Sequence, residues 1–175
     1  PRWALGYQQC RFSYTPDSRV IEIADTLRYK RIPCDAIWMD IDYMDGYRIF
    51  TFNPQGFPDP KAVNRDLHLR GFHSVWMIDP GAKAETGYSV YDSGTANDVW
   101  VKTVDGKEYN GDAWPGKVAW PDFTDPKVCQ WWGGLYKDFM AQGVDGVWND
   151  VNEPQVSNTP TGTMPEDNLH RGGNG

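Results

Sequence analysis

The chain is poor in the residues that build metal centres and disulfide frames, with three cysteines and three histidines among its 175 residues. Cys10, Cys34 and Cys129 are an odd number and form no CxxC pair, so a zinc knuckle or a disulfide framework does not fit, and buried thiols are expected. His68, His73 and His170 share no metal-ligand spacing and read as surface or locally bonded groups, so no metal is expected. An excess of basic residues is lacking as well. The formal net charge is -7 and the pI is near 4.8, which argues against a nucleic-acid partner and favours a neutral one. No apolar run is long enough to cross a membrane. The start, Pro1-Arg2-Trp3, has neither an initiator methionine nor a signal peptide and reads as cut from a longer chain, which leaves the compartment open between cytoplasmic and secreted or periplasmic. The glycine-rich phosphate loop that would follow the first strand of a dinucleotide fold is also absent, since Gln8-Gln9-Cys10-Arg11 stands there.

What is present is aromatic and acidic. Nine Trp and nine Tyr supply flat faces that suit sugar rings, although large aromatics also fill cores. Three short apolar runs stop at an aspartate: residues 36–40 at Asp40, 74–79 at Asp79 and 146–150 at Asp150. Each has the length and the β-branched and aromatic content of a strand buried on both faces. A first strand is expected at Trp3–Tyr7, followed by a helix from Asp17 to Arg31, a strand over 35–41, a helix from Lys61 to Arg70 closed by Gly71, a strand over 72–79, a helix from Asp125 to Gln142 and a strand from Val144 to Asn149. Residues 82–121 show no helical period and read as a long inserted loop, the kind that usually carries function.

Helix-like stretches between apolar strands define an α/β protein with parallel strands, and the absent phosphate loop favours a (β/α)8 TIM barrel over a doubly wound sheet. A whole barrel takes about 250 residues, so residues 1–175 are expected to be a partial catalytic barrel domain that supplies the first four β/α units. In such sheets the side chains at the carboxyl ends of strands gather at one mouth, and the three aspartates are expected to converge there.

Two constellations can carry chemistry. In Trp148-Asn149-Asp150-Val151-Asn152-Glu153-Pro154 two carboxylates stand three residues apart at a strand end. One could be a nucleophile of glycoside hydrolysis; alternatively Asp150 caps a helix with Glu153 reaching back to it, or Glu153 is the acid/base of an Asn-Glu-Pro motif like that of retaining β-glycosidases. In Asp40-Ile41-Asp42-Tyr43-Met44-Asp45-Gly46 the acidic spacing is that of a calcium loop, but Met44 replaces an oxygen ligand and no glutamate closes the loop. Read instead as an extended chain, it points Asp40 and Asp42 the same way, one toward substrate and one holding the loop.

Three ordered motifs then resemble family 31 of the glycoside hydrolases, the α-glucosidases: Trp38-Met39-Asp40-Ile41-Asp42-Tyr43-Met44, Trp114-Pro115-Gly116 followed by Pro121-Asp122-Phe123, and the segment from Trp148 to Pro154. The resemblance covers nearly the whole chain. It implies a retaining, exo-acting hydrolase of terminal α-linked glucose with no cofactor, in which Asp150 is the nucleophile. Asp40, Ile41, Trp114, Trp148, Asp79 and Phe12 would line the glucose subsite, as would Val151, which stands where the family often has methionine. Asp42, Asn152 and Glu153 would support it. The family's acid/base aspartate lies beyond the fourth strand, so the resemblance implies that this segment alone is inactive and that its partners are an α-glucoside oligosaccharide and the remaining segments of the same enzyme, with no nucleic acid or membrane. An α-transglucosylase of the same family, or a non-catalytic sugar-binding or assembly segment, are the alternatives.

Overall fold

The computed structural model describes residues 1–173. It divides into two compact units, the first formed by Pro1–Tyr47, Thr51–Ile78 and Asp138–Trp148, and the second by Arg48–Phe50, Asp79–Lys137 and Asn149–Gly175. Among the described residues no helix is long and apolar enough to cross a membrane.

The first unit is an α/β layer. Strands β1 (Gln8–Gln9), β2 (Ala36–Met39), β3 (His73–Ile78) and β7 (Gly146–Asn149) lie side by side in that order, with β1 parallel to β2 and β2 parallel to β3. Helices α1 (Asp17–Tyr29) and α2 (Pro60–Leu69) bury Val20, Ala24, Val63 and Leu67. Trp76 of β3 is wholly buried, and its indole N–H donates to Asn64 Oδ1 at 3.0 Å while the Asn64 amide donates to the Gln142 carbonyl at 2.8 Å. The buried polar pair is thereby satisfied, as burial requires. Tyr43, Phe52, Phe57 and Phe139 close around that indole and one another, with centroids 4.8 to 6.5 Å apart.

The ends of α2 follow local chemistry. Asp59 accepts from the Ala62 N–H at 2.9 Å with Pro60 in the first turn, and Gly71 (φ 73°) closes the helix as Gly71 N–H and Phe72 N–H bond back to His68 and Leu67. Helix α1 closes the same way, with Arg31 N–H and Ile32 N–H bonding back to Arg28 and Leu27, but Arg31 holds the left-handed position (φ 55°). A side chain there hid the stop, so the expected helix ran on to Arg31.

The expected first strand is displaced. Residues Arg2–Leu5 form a 3-10 turn, Trp3 stacks on His73 at 4.5 Å, and pairing begins only at Gln8. Gly6 passes so close to Asp35 that a Cβ there would overlap the carboxylate. Strand β7 is half-buried with Asn149 exposed, where burial on both faces was expected, because it occupies the edge of the sheet among the described residues.

In the second unit, residues 82–121 are not a featureless loop. They contain β4 (Ala82–Lys83), helix α3 (Ser89–Ala96), β5 (Asn110–Ala113) and β6 (Gly116–Ala119), with the strands forming an antiparallel sheet in the order β4-β6-β5. The helix was illegible because its face is set by a close approach: a Cβ on Gly94 would overlap the Trp100 ring. Val101, Tyr109, Val118, Trp120 and Val156 make the core of this unit. Helix α4 (Pro126–Met140) opens with the Asp125 carboxylate accepting from Lys127 N–H at 2.8 Å, and within this unit its Trp132 meets Phe50 and Phe123 edge-on.

Candidate active site

Each of the three aspartates follows the carboxyl end of its strand: Asp40 after β2, Asp79 after β3 and Asp150 after β7. In the first unit, Asp40 does not continue the strand. Its Oδ1 accepts from the Ile41 N–H at 2.7 Å and caps a 3-10 turn over Ile41–Tyr43. The extended reading of this segment is corrected by that cap, and Asp42 turns aside to accept from the Tyr47 hydroxyl at 3.3 Å. Ile41 is buried at 4% exposure under the turn. Cys34 is buried as expected, but Cys10, in the loop after β1, and Cys129 are exposed residues; partial desolvation and then the charge of Asp40 still push the Cys10 thiol up. Phe12, in the same loop, is exposed and holds a left-handed backbone at φ 36°. Trp148 packs against Trp38 at 5.5 Å, and Trp38 donates to Gln8 Oε1 at 2.6 Å.

In the second unit, a narrow cleft brings Asp79, Trp114 and Val151 together, with Pro80, Gly81 and Trp120 in its wall. Register explains the tryptophan. Ala113 pairs with Gly116 across a two-residue hairpin turn, so Trp114 rides the tip and stays more than half exposed. Val151 has φ 51°, a conformation that costs a β-branched residue on the order of 1–3 kcal/mol and that gathers at functional sites. Its neighbour Asp150 is partly exposed and makes no hydrogen bond or ion pair among the described residues. Among the described residues no helix follows it, which removes the capping reading of Asp150 and Glu153. Asn152, Glu153 and Pro154 instead line a separate cavity of about 650 Å³.

A third aspartate of this unit, named in a motif but given no role, proves to be a hub. Asp122 is 1% exposed and accepts from the Thr124 hydroxyl at 2.6 Å and the Arg171 backbone N–H at 2.7 Å, with His170 Nδ1 at 3.3 Å. Burial acts to raise its pKa, but these donors outweigh it and hold the carboxyl below the usual range. The Arg171 guanidinium adds ion pairs to Asp98 and Asp125. Asp122 and Arg171 are 49 residues apart, so only the bare motif residues hinted at the hub.

Strand-ending acids and, within the second unit, an exposed Trp and a strained residue next to an unengaged carboxylate are residue types that glycoside hydrolysis employs. Over residues 1–174 the chain matches the model of the glycosyl hydrolases family 31 TIM-barrel domain, and it belongs to that family. It is 45% identical over 170 residues to alpha-glucosidase 2 of Bacillus thermoamyloliquefaciens, covering 97% of this chain and 22% of that protein. It is 38% identical to neutral alpha-glucosidase AB of Sus scrofa, covering 99% of this chain and 19% of that protein. The crystal structure of a family 31 alpha-glucosidase from Bacteroides thetaiotaomicron superposes with a TM-score of 0.85 at 80% identity, covering 95% of this chain and 28% of that one. The chain thus spans about a fifth of the length of the curated relatives it matches.

Proposed function

We propose that this chain is the first four β/α units of a (β/α)8 catalytic domain, with residues 82–121 inserted after β3, in a retaining, exo-acting α-glucosidase. The observation that carries the reading is Asp150: an unengaged carboxylate at a strand's carboxyl end, next to a strained Val151 that shares a cleft with Asp79 and Trp114.

Asp150 attacks the anomeric carbon of a terminal α-glucosyl unit. The bond from that carbon to the leaving oxygen breaks as an acid/base carboxyl, supplied by a later segment of the same enzyme, donates a proton to that oxygen. A β-glucosyl ester forms on Asp150, and water, deprotonated by the same acid/base, hydrolyses it with net retention. The two carboxyl groups must stand about 5 to 5.5 Å apart for this chemistry, which is why the chain needs its partner segments for turnover. Asp79 and Asp40 accept from glucose hydroxyls, and a wrong epimer would leave the buried Asp79 without that partner. Trp114 and Trp148 offer faces to the sugar, with Phe12, Ile41 and Val151 shaping the walls and Asp42, Asn152 and Glu153 in support.

The test is treatment of the gene product that carries this chain with 5-fluoro-α-glucosyl fluoride, followed by peptide mass spectrometry. A fluoroglucosyl adduct on Asp150 upholds the reading. An adduct on Glu153, or none on a folded sample, overturns it, and the second result promotes a sugar-binding or assembly role.

A further inference from the structure

Two tryptophans of the first unit stand at matching places. Trp38 in β2 is two residues before Asp40, and Trp148 in β7 is two residues before Asp150. Their rings meet at 5.5 Å with planes tilted by 53°. Both residues are only half-buried, so close packing encloses neither ring on every side.

A hydrogen bond orients them instead. An indole N–H is a donor only, and Trp38 donates it to Gln8 Oε1 at 2.6 Å. Register brings these two side chains together. Gln8 pairs with Ala36, two residues before Trp38, so Gln8 and Trp38 project from the same face of neighbouring strands. The other end of the amide is engaged as well, since Gln8 Nε2 donates to the Ala4 carbonyl at 2.8 Å. A carbonyl only accepts and an indole N–H only donates, so the amide can stand just one way round. Gln8 cannot turn without losing one bond, and Trp38 cannot rotate its ring without losing the other. Gln9, the next residue, faces the opposite way and serves two tyrosines: its Oε1 accepts from the Tyr7 hydroxyl and its Nε2 donates to the Tyr14 hydroxyl at 2.7 Å. Neither tyrosine belongs to the proposed sugar subsite.

We infer that Gln8 is a positioning residue for the reaction: it holds the ring of Trp38, and through it the ring of Trp148, so that the terminal glucosyl unit is bound in the geometry that reacts. This rests on the α-glucosidase reading. Gln8 touches no reacting atom and acts through the two aromatic rings. A ring fixed on folding loses no further freedom when substrate arrives. Misplacement of a bound sugar by about 1 Å can lower the rate by about 10²-fold, which is what such a brace guards against.

The experiment measures kcat and KM, per folded molecule, of the gene product and its Gln8→Met, Trp38→Phe and Gln9→Met variants on maltose, nigerose, isomaltose and p-nitrophenyl α-glucoside. Gln8→Met removes the acceptor, and Trp38→Phe removes the donor but keeps a ring. Each is expected to lower kcat about tenfold on the substrates the parent cleaves, with KM shifted less than about threefold. The double variant is expected to lose no more than either single one, because both remove the same interaction. Gln9→Met, which breaks two hydrogen bonds of the same strand, is expected to keep kcat within about twofold. An unchanged kcat in either Gln8→Met or Trp38→Phe overturns the inference and leaves the α-glucosidase reading standing. So does an equal loss in Gln9→Met, which would mark a general loosening of β1, and so do fully additive losses in the double variant. If Gln8→Met fails to fold, Trp38→Phe decides the same bond from its other side. If the parent cleaves none of the four substrates, the α-glucosidase reading falls and the inference falls with it.

Discussion

Strand β7 has an acid at each end, and the two are held in opposite ways. Asp145, just before the strand, accepts from the Ser74 N–H at 2.9 Å, is bonded to His68 Nε2 at 2.7 Å and has His73 Nδ1 at 3.2 Å. Asp150, just after it, makes no hydrogen bond or ion pair among the described residues. A carboxylate engaged in this way lowers the energy of the fold and has few acceptor sites to spare, whereas an unengaged one contributes little to stability and keeps its oxygens for a ligand. This is the division expected of a barrel strand, whose amino end serves stability and whose carboxyl end serves chemistry. Asp122 is informative here, because it lies in the second unit and yet is engaged like Asp145. Engagement of the oxygens, more than sequence motif, therefore separates structural acids from candidate catalytic ones.

The contrast is broken most directly by substitution at its free end. With Asp150 as the proposed nucleophile, Asp150→Asn is expected to lower kcat of the gene product on the order of 10⁴-fold, while its unfolding free energy stays within about 0.5 kcal/mol of the parent. A stability loss as large as that at Asp145 would erase the distinction. Asp122→Ala should do the reverse. It removes a buried carboxylate and leaves the four donors from Thr124, His170 and the Arg171 backbone without their acceptor, and is expected to cost about 3 kcal/mol in chemical denaturation. Asp145→Asn keeps the shape but loses the charge, and about 2 kcal/mol is expected to go with it.

The same two acids give the comparison a pH axis. Burial pushes Asp145 up, but Ser74, His68 and His73 hold its carboxyl below the usual range, as the donors to Asp122 do there. A group whose pKa is depressed on folding binds its proton more readily when unfolded, so its stabilisation is complete above the ordinary carboxylate value of about 4. That stabilisation is lost as pH falls from there through the folded values. Denaturation midpoints measured from pH 6 down to pH 2 should therefore fall more steeply in the parent than in an Asp122→Asn, Asp145→Asn double variant. Parallel curves would show that neither carboxylate is linked to folding.

Much of the scaffold was legible in local chemistry. The α/β alternation, the three strand-ending acids and the close of α2 follow from apolar runs and Gly71, signals that act within a few residues, while the start of α2 at Pro60, capped by Asp59, falls one residue before the expected Lys61. Elements set by distant contacts were not legible. The 3-10 turn at Arg2–Leu5 answers to the stacking of Trp3 on His73, and α3 answers to the approach of Gly94 and Trp100. For the site, the strand ends exposed Asp40, Asp79 and Asp150, while Phe12 and Val151 surfaced only through resemblance, because nothing in composition announces a left-handed backbone. The grouping of Glu166 with Glu153 on one cavity and the clamp of Asp122 on Arg171 are products of tertiary folding alone.

The smallest effect sharpens the comparison between two helix ends of the first unit. Both α1 and α2 close with the same pair of bonds, from the left-handed residue and from the residue after it, yet one left-handed position is Arg31 and the other Gly71. A non-glycine residue at such a position carries a steric cost that glycine avoids, offset in part by the larger conformational freedom glycine loses on folding. Arg31→Gly is therefore expected to raise stability by about 0.5–1 kcal/mol, and Gly71→Ala to lower it by about 1 kcal/mol. The Gly71 site adds no steric neighbour that would exaggerate the loss, since a Cβ there would meet only the end of Arg28 at 3.7 Å. Equal and opposite shifts in the two denaturation midpoints would mean that backbone conformation alone governs both closures. A loss at Arg31→Gly would mean instead that the arginine side chain stabilises α1 by more than its left-handed backbone costs.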